Sequence, residues 1–377
     1  MQLRLASLVF LFLASPAYPQ TTSQFATTDE GKQVILSPDG TWRYAEERDS
    51  KEPQLGPMTH FSGEQWILDM EVSSQGKVYG LVDDGFEILD VEQRSARHYV
   101  FDPKSTVWVL PPFSRSRNLA VAIDPDDNPT ILWYGRREDA AFESYITTLG
   151  AEESVKLEPA ISMVYDMSFG SEGQLFILGH LSGSNYVITE RLESGRTRRL
   201  VSGRPNLIHE FSASGQLTRS FHPWPNPEIE DLALIGSRTS KIVAAAGSVF
   251  VMHTLLTDDV YEYRDGVLVQ IYSFPQRAGL SRMLHSMFSN NGKVYIASSV
   301  GHKRVLPEYS SRAGPAPFSF SSEQIELHVI EAGSLELVSA GGPFRDTIGM
   351  TPNGEFLIRR EITRAGVRFP AVFVVTP

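Results

Sequence analysis

The sequence predicts an all-β chain, and three observations carry that expectation. A motif of apolar strand, Gly turn and second apolar strand recurs as "ILDMEVSSQGKVYGL" (67–81), "VYDMSFGSEGQLFIL" (164–178) and "MLHSMFSNNGKVYIA" (283–297). Glycine (29) and proline (23) are spread along all 377 residues, as many short elements joined by turns require. Apolar residues with period 3.6 are hard to find beyond the first 15 residues, so few helices are expected.

The first 20 residues stand apart from the fold. "MQLRLASLVFLFLASPAYPQ" has one positive charge, Arg4, then an apolar run from Leu5 to Ala14, and small residues at Ser15 and Ala17. The run is shorter than the ~18 apolar residues of a membrane span, so 1–20 is expected to be a cleaved signal peptide; an uncleaved anchor is the rival reading. Its removal takes Arg4 with it and leaves a net charge of 33 − 45 = −12. An acidic chain with no Lys/Arg cluster argues against nucleic acid and anionic membrane as partners. The absence of cysteine excludes disulfides, a thiol nucleophile and a Cys-borne lipid anchor. A short signal sequence of bacterial type on a Cys-free chain points to the periplasm or the secreted space.

Residues 21–48 are expected to form a small hairpin: Val34 and Leu36 alternate, "SPDGT" turns, and Trp42 and Tyr44 return. The stretch "ERDSKEPQLGP" (47–57) marks a linker, bounded at 49–59, and 60–377 reads as one repeat domain. The repeats align on the turn residue, at Gly76, Asn128, Gly173, Gly247, Gly292 and Gly354. Gly takes positive φ without steric cost and Asn tolerates it, which is why these two types occupy the position. Seven residues before each turn lie Asp69, Val121, Asp166, Ser240, His285 and Thr347, separated by steps of 52, 45, 74, 45 and 62. The short steps match the ~40–50 residues of a four-stranded propeller blade. The long steps carry insertions, 181–205 and the Pro/Ser/Gly-rich 301–322.

The later half of each unit agrees. "GFEILDVEQRSARHYVF", "LIHEFSASGQLTRSF", "VYEYRDGVLVQIYSF" and "IELHVIEAGSLELVS" each read as an outer hairpin. Six units starting near 67, 119, 164, 240, 283 and 345 would close into a ring and leave no long sheet edge. The last unit supplies only three good strands, ending in "AVFVVTP"; residues around Met58–Phe61 are expected to lend the fourth. "LIHEFSASGQLTRSF" and "DMEVSSQGKVYGL" resemble the six-bladed β-propellers of bacteria in the NHL and TolB-like group, although "GFEILDVE" and "DVYEYRDG" only approximate the NHL third-strand step. That resemblance implies architecture rather than activity, because binding proteins, lyases and lactonases share the fold.

Enzyme signatures are sparse. "GHLSGSN" lacks the spacing of a nucleophile elbow, and His209–Glu210 has no second His where a zincin needs one. "DPDDNP" begins like a calcium loop at Asp124, but Pro129 stands at its sixth position and Gly135 at its twelfth, so a hairpin turn is expected. Phe113, Trp133 and Trp224 fit blade packing better than a cofactor role.

The repeat frame itself supplies the candidate site. The first residues of inner strands ring the upper channel mouth, which places Asp69, Asp166 and His285 around one opening. Seven residues after the turns come Asp83, His180, Thr254, Ser299 and Glu361. Such convergent polar groups suit a ligand, or a divalent cation held by Asp69, Asp166 and His285; equally, a channel mouth is wet and its polar groups satisfy water and strand ends. Both insertions follow a second strand and so share that upper face, carrying Arg196, Arg198 and Arg199 on one and His302, Lys303 and Arg304 on the other. The expectation is an exported, monomeric propeller that binds a protein or small ligand on its upper face. The rival is a metal-dependent hydrolase, lactonase or lyase at the channel mouth, with Val121 breaking the ring of potential ligands.

Overall fold

In the computed structural model the described residues are 24–27, 33–36, 42–44, 55–60, 67, 69–82, 85–100, 120–135, 143–151, 153–182, 186–191, 197–203, 207–223, 240–253, 258–305, 318–364 and 367–375. Two units separate at residue 49. In the first, β1 (Gln24–Thr27), β2 (Gln33–Leu36) and β3 (Trp42–Tyr44) form an antiparallel sheet in that order. It therefore holds one strand more than the expected hairpin, and Val34 stands opposite Tyr44 and Leu36 opposite Trp42.

The second unit is six-bladed. Among the described residues its blades are six antiparallel four-stranded sheets. Blade I is β5 (Asp69–Val72), β6 (Val78–Val82), β7 (Gly85–Asp90) and β8 (Ser95–Val100), preceded in the chain by β4 (Leu55–His60). Blade II is β9 (Ala120–Ile123), β10 (Pro129–Gly135), β11 (Glu143–Thr148) and β12 (Val155–Leu157). Blade III uses β13 (Ile161–Phe169), β14 (Leu175–Leu181), β17 (Leu207–Phe211) and β18 (Leu217–Phe221), and the first insertion folds out as a separate hairpin, β15 (Tyr186–Arg191) and β16 (Thr197–Gly203). Blade IV is β19 (Ser240–Ala245), β20 (Ser248–His253), β21 (Asp259–Arg264) and β22 (Val267–Ser273). Blade V is β23 (Ser281–Asn290), β24 (Lys293–Val305), β25 (Phe318–Glu331) and β26 (Ser334–Ala340).

Blade VI joins β27 (Thr347–Met350), β28 (Phe356–Arg364) and β29 (Val367–Val375) to β4, the clasp expected from the sequence. β4 begins at Leu55, inside the segment read as linker, because Leu55 already pairs with Val375. The innermost strands touch in turn, β5 to β9 to β13 to β19 to β23 to β27, and β27 returns to β5. That closes the ring.

Alternation along each strand sends apolar side chains to both faces of a blade, so the core lies between neighbouring sheets. Trp133, Leu132, Phe86 and Met167 fill the space across blades I, II and III. Tyr261 and Ile208 join III to IV, Met252 and Leu284 join IV to V, and Phe288 and Phe356 join V to VI. Val78 and Leu357 complete the circle between VI and I. Trp133 is fully buried, stacked on Tyr145 at 4.7 Å, with its indole N–H donating to Thr147 Oγ1 at 2.8 Å. Its role is packing. Phe113 and Trp224 lie outside the described residues.

The turn frame holds at five of its six positions: Gly76, Gly173, Gly247, Gly292 and Gly354 all have φ between 72° and 82°. In blade II the left-handed residue is Asp127 (φ 66°), one before Asn128. Asp124 Oδ1 accepts from the backbone N–H of Asp126 and Asn128, at 3.0 and 2.8 Å, and so tightens the loop from within. The carboxylate that begins the calcium-like pattern is thus part of a hairpin turn.

Candidate functional site

The inner strands of the ring expose one edge to the axis, and their N–H groups need acceptors. The neighbouring blade supplies them. Asp69 on β5 accepts from Val121 N at 3.1 Å, joining blade I to blade II. Asp166 on β13 accepts from Ile242 N at 2.7 Å, and Ser168 from Ala244 N at 2.9 Å, joining III to IV. Both aspartates of the repeat frame therefore hold one blade to the next.

What balances their charge is Lys241, whose Nζ lies 3.2 Å from Asp166 Oδ1. Asp166 is 4% exposed; burial raises its carboxyl to about 6 against the pull of Lys241, with Asp69 adding to the rise. The carboxylate of Asp166 in turn holds the Lys241 ammonium above its ordinary range. Glu71, two residues after Asp69 and on the same strand face, joins them. Burial first, then the charges of Asp69 and Asp166, push its carboxyl well above the usual range. Three blades thus place Asp69, Glu71, Asp166 and Lys241 within electrostatic reach of one another.

Glu71, Asp166 and Lys241 line a cavity of about 450 Å³ that meets residues of all six inner strands and is therefore axial. Its wall also holds Ser74, Asp127 and Asn291, all from turns between a first and a second strand. Its wall thus reaches the turn end of the ring, opposite the strand starts where the repeat frame set the mouth.

The remaining candidates are dispersed. His285 Nε2 meets Ser299 Oγ at 2.7 Å within blade V, and burial followed by the charge of Arg345 lowers its ring to about 4. His180 is half-buried and edge-on to Tyr165 at 5.5 Å. Glu361 is exposed on β28, opposite Pro370. Thr347 is buried and donates from Oγ1 to Phe344 O at 2.6 Å. Asp83 and Thr254 lie outside the described residues. The structure brings together Asp69 and Asp166, with His285 engaged elsewhere.

Among the described residues no three His, Asp or Glu side chains are grouped to hold a metal ion. The oxygens of Asp69 and Asp166 already receive backbone N–H groups and an ammonium, so this donor set does not fit a divalent cation. Lys241 escaped the repeat frame because it follows the aligned position by one residue. Its signal was being the one Lys among the inner-strand positions flanking that frame, beside an otherwise apolar "IVAAAG" run.

Replacing Asp166 with Asn is expected to destabilise the ring by about 2–3 kcal/mol. The amide still accepts from Ile242 N but takes away the nearest counter-charge of the Lys241 ammonium. Urea unfolding of the variant at pH 7.5 measures this; a gain in stability would mean that carboxylate repulsion outweighs the ion pair.

No family model and no curated protein matches this chain. Solved structures similar to it include a Bacteroides caccae protein of unknown function, at 13% identity over 70% of this chain and 78% of the other, with a TM-score of 0.36. A chain of the mitotic checkpoint complex is 10% identical over 98% of this chain and 99% of its own, with a TM-score of 0.43. The extracellular domain of a putative hybrid two-component system from B. thetaiotaomicron is 9% identical over 93% of this chain and 45% of its own, with a TM-score of 0.35.

Proposed function

We infer that this chain is an exported binding propeller, without catalysis of its own, whose axial cavity takes a small polar ligand bearing an amine. The observation that carries this reading is the meeting of Glu71, Asp166 and Lys241 from three blades in one cavity of about 450 Å³, a volume suited to a small molecule. Glu71 and Asp166 in the wall, with Asp69 close enough to act on both, outnumber the one ammonium, so the cavity favours a further positive charge. An amine would hydrogen-bond to Glu71 and draw it into its ionised form, while Lys241 would receive an anionic or carbonyl oxygen of the same ligand. Export is supported by the leader-like first 20 residues.

The test is thermal shift at pH 7.5 against a panel of free amino acids, short diamines and neutral sugars. Amine-bearing compounds are expected to raise the melting temperature of the wild type, and Glu71→Gln to abolish the rise. A panel in which only neutral sugars stabilise, or none does, would overturn the reading. Metal analysis of the same preparation separates it from a metal-dependent hydrolase or lyase, for which a stoichiometric divalent ion is expected.

A further inference from the structure

In blade V, as in blade VI, the two middle strands run on beyond their neighbours. β24 and β25 stay paired from Val294 opposite Ile330 out to Val305 opposite Phe318, well past both neighbours. β23 reaches only to the pair of Ser281 with Gly301. On the other side the ladder ends at Glu326 with Ala340, plus one bond from Gly341 N to Ile325 O at 2.7 Å. The chain then turns away through Gly341 and Gly342, with φ of 92° and 81°. Among the described residues, no strand pairs with the outer edge of β25 from Gln324 back to Phe318. Such an edge is a template for another strand.

A cavity of about 690 Å³ lies along this edge, with Ser322, Glu323, Gln324, Gly341, Gly342 and Arg277 in its wall. Arg277 donates to the side chains of both Gln324 and Glu326. Arg282 donates to Glu326 Oε2 at 2.7 Å and stands 4.8 Å above the Phe274 ring. Two guanidinium groups therefore share one carboxylate, itself 2% exposed. Arg282 is enclosed, whereas the Arg277 side chain is 35% exposed and is the one in the cavity wall. Glu323, the carboxylate of that wall, is already met by His302 Nε2 at 2.8 Å. Farther along the ribbon Lys303 and Arg304 are exposed. The surroundings favour an acidic occupant.

Geometry says where its charge would fall. Gln324 and Glu326 are two residues apart and share a face of the strand, and Arg277 bridges them. A segment lying where β26 would have continued sets its next residue opposite Gln324, roughly 5 Å away on the same face. A carboxylate there meets the guanidinium of Arg277.

We propose that this edge receives an extended acidic segment of a partner protein as an added strand, with an Asp or Glu side chain opposite Gln324 held by Arg277. Main-chain hydrogen bonds give the affinity and the charged contact selects the sequence. The site lies on blade V and does not depend on the axial cavity.

The experiment uses the full chain and an array of heptapeptides with random flanks, acetylated and amidated, carrying Glu, Gln or Lys at the centre. Glu peptides are expected to bind, with Gln versions about tenfold weaker, the effect of one charge-assisted contact. Arg277→Ala removes that preference, at a lowered melting temperature because Glu326 then keeps only Arg282, and N-methylation of alternate peptide amides abolishes binding to the wild type. Hydrogen exchange with the best peptide should slow at 319–324 and nowhere on the inner strands. Equal binding of Glu and Gln peptides, protection elsewhere, or no retention of any peptide overturns the proposal.

Discussion

Acidification from pH 7.5 to pH 4 is expected to lower the melting temperature of the propeller by roughly 10–20 °C, taking about 2–4 °C per kcal/mol. His209, His253 and His328 are 1–3% exposed, and burial holds the first two rings at about 4 and the third at about 3. His285, half-buried, is also lowered to about 4. In the unfolded chain these rings titrate near 6.5, so between pH 6.5 and 4 the unfolded state binds more protons. Their stabilisation is complete above pH 6.5 and is lost as the pH falls, at about 3 kcal/mol for each fully buried ring. Glu71 and Asp166 act in the opposite direction. Their folded values are raised, so their contribution is lost as pH rises, through about 6 for Asp166. That offset is on the order of 3 kcal/mol for Asp166, with Glu71 adding to it, against about 9 for the three buried rings, with His285 adding to them, and the histidines win. Melting curves at pH 7.5, 6, 5 and 4 measure the balance. A flat profile would mean that these rings take up protons in the folded state.

Gly215→Ala is expected to cost about 3–4 kcal/mol, the largest loss of any turn glycine, by adding left-handed strain to a steric clash. Gly215 has φ 81°, and a Cβ there would sit 2.1 Å from Lys156 O. That carbonyl cannot retreat, because the same stretch joins blades II and III: Glu158 N donates to Gly215 O at 2.8 Å and Leu217 N to Glu158 O at 2.9 Å. Gly76 is less crowded, with Pro352 Cδ at 3.0 Å, and about 2 kcal/mol is expected for its Ala variant. Gly292 faces open space, so only the backbone strain remains, about 1 kcal/mol. Urea denaturation of the three variants should reproduce that order. Equal losses would show that the inter-blade contact gives way freely.

Turn chemistry made the ring legible from the sequence. Hairpin glycines with positive φ recur in fixed relation to the strands, and the described strands open at 69, 120, 161, 240, 281 and 347, within three residues of the expected unit starts. The clasp was legible because "AVFVVTP" ended one strand short. The left-handed residue of blade II was not, since Asp and Asn both adopt that conformation and only the Asp124 side chain decides between 127 and 128. The axial charges were half legible. Asp69 and Asp166 stood in the frame, but a repeat alignment compares one position per blade and misses partners at an offset, as Glu71 and Lys241 are. It also cannot separate a carboxylate that faces a ligand from one that takes the N–H of the next blade, a difference set by distances between chain segments 52 and 76 residues apart.

The clasp makes this ring mechanically fragile in one direction. Leu55 and Val375 stand opposite each other at the same end of the β4–β29 ladder, which continues inward to His60 and Ala371. A force pulling those two ends apart loads the bonds one after another, like a zipper, and does not shear them together. The molecule would therefore resist heat with the cooperativity of a closed circle, yet yield to a small tension applied through the two ends of its ring.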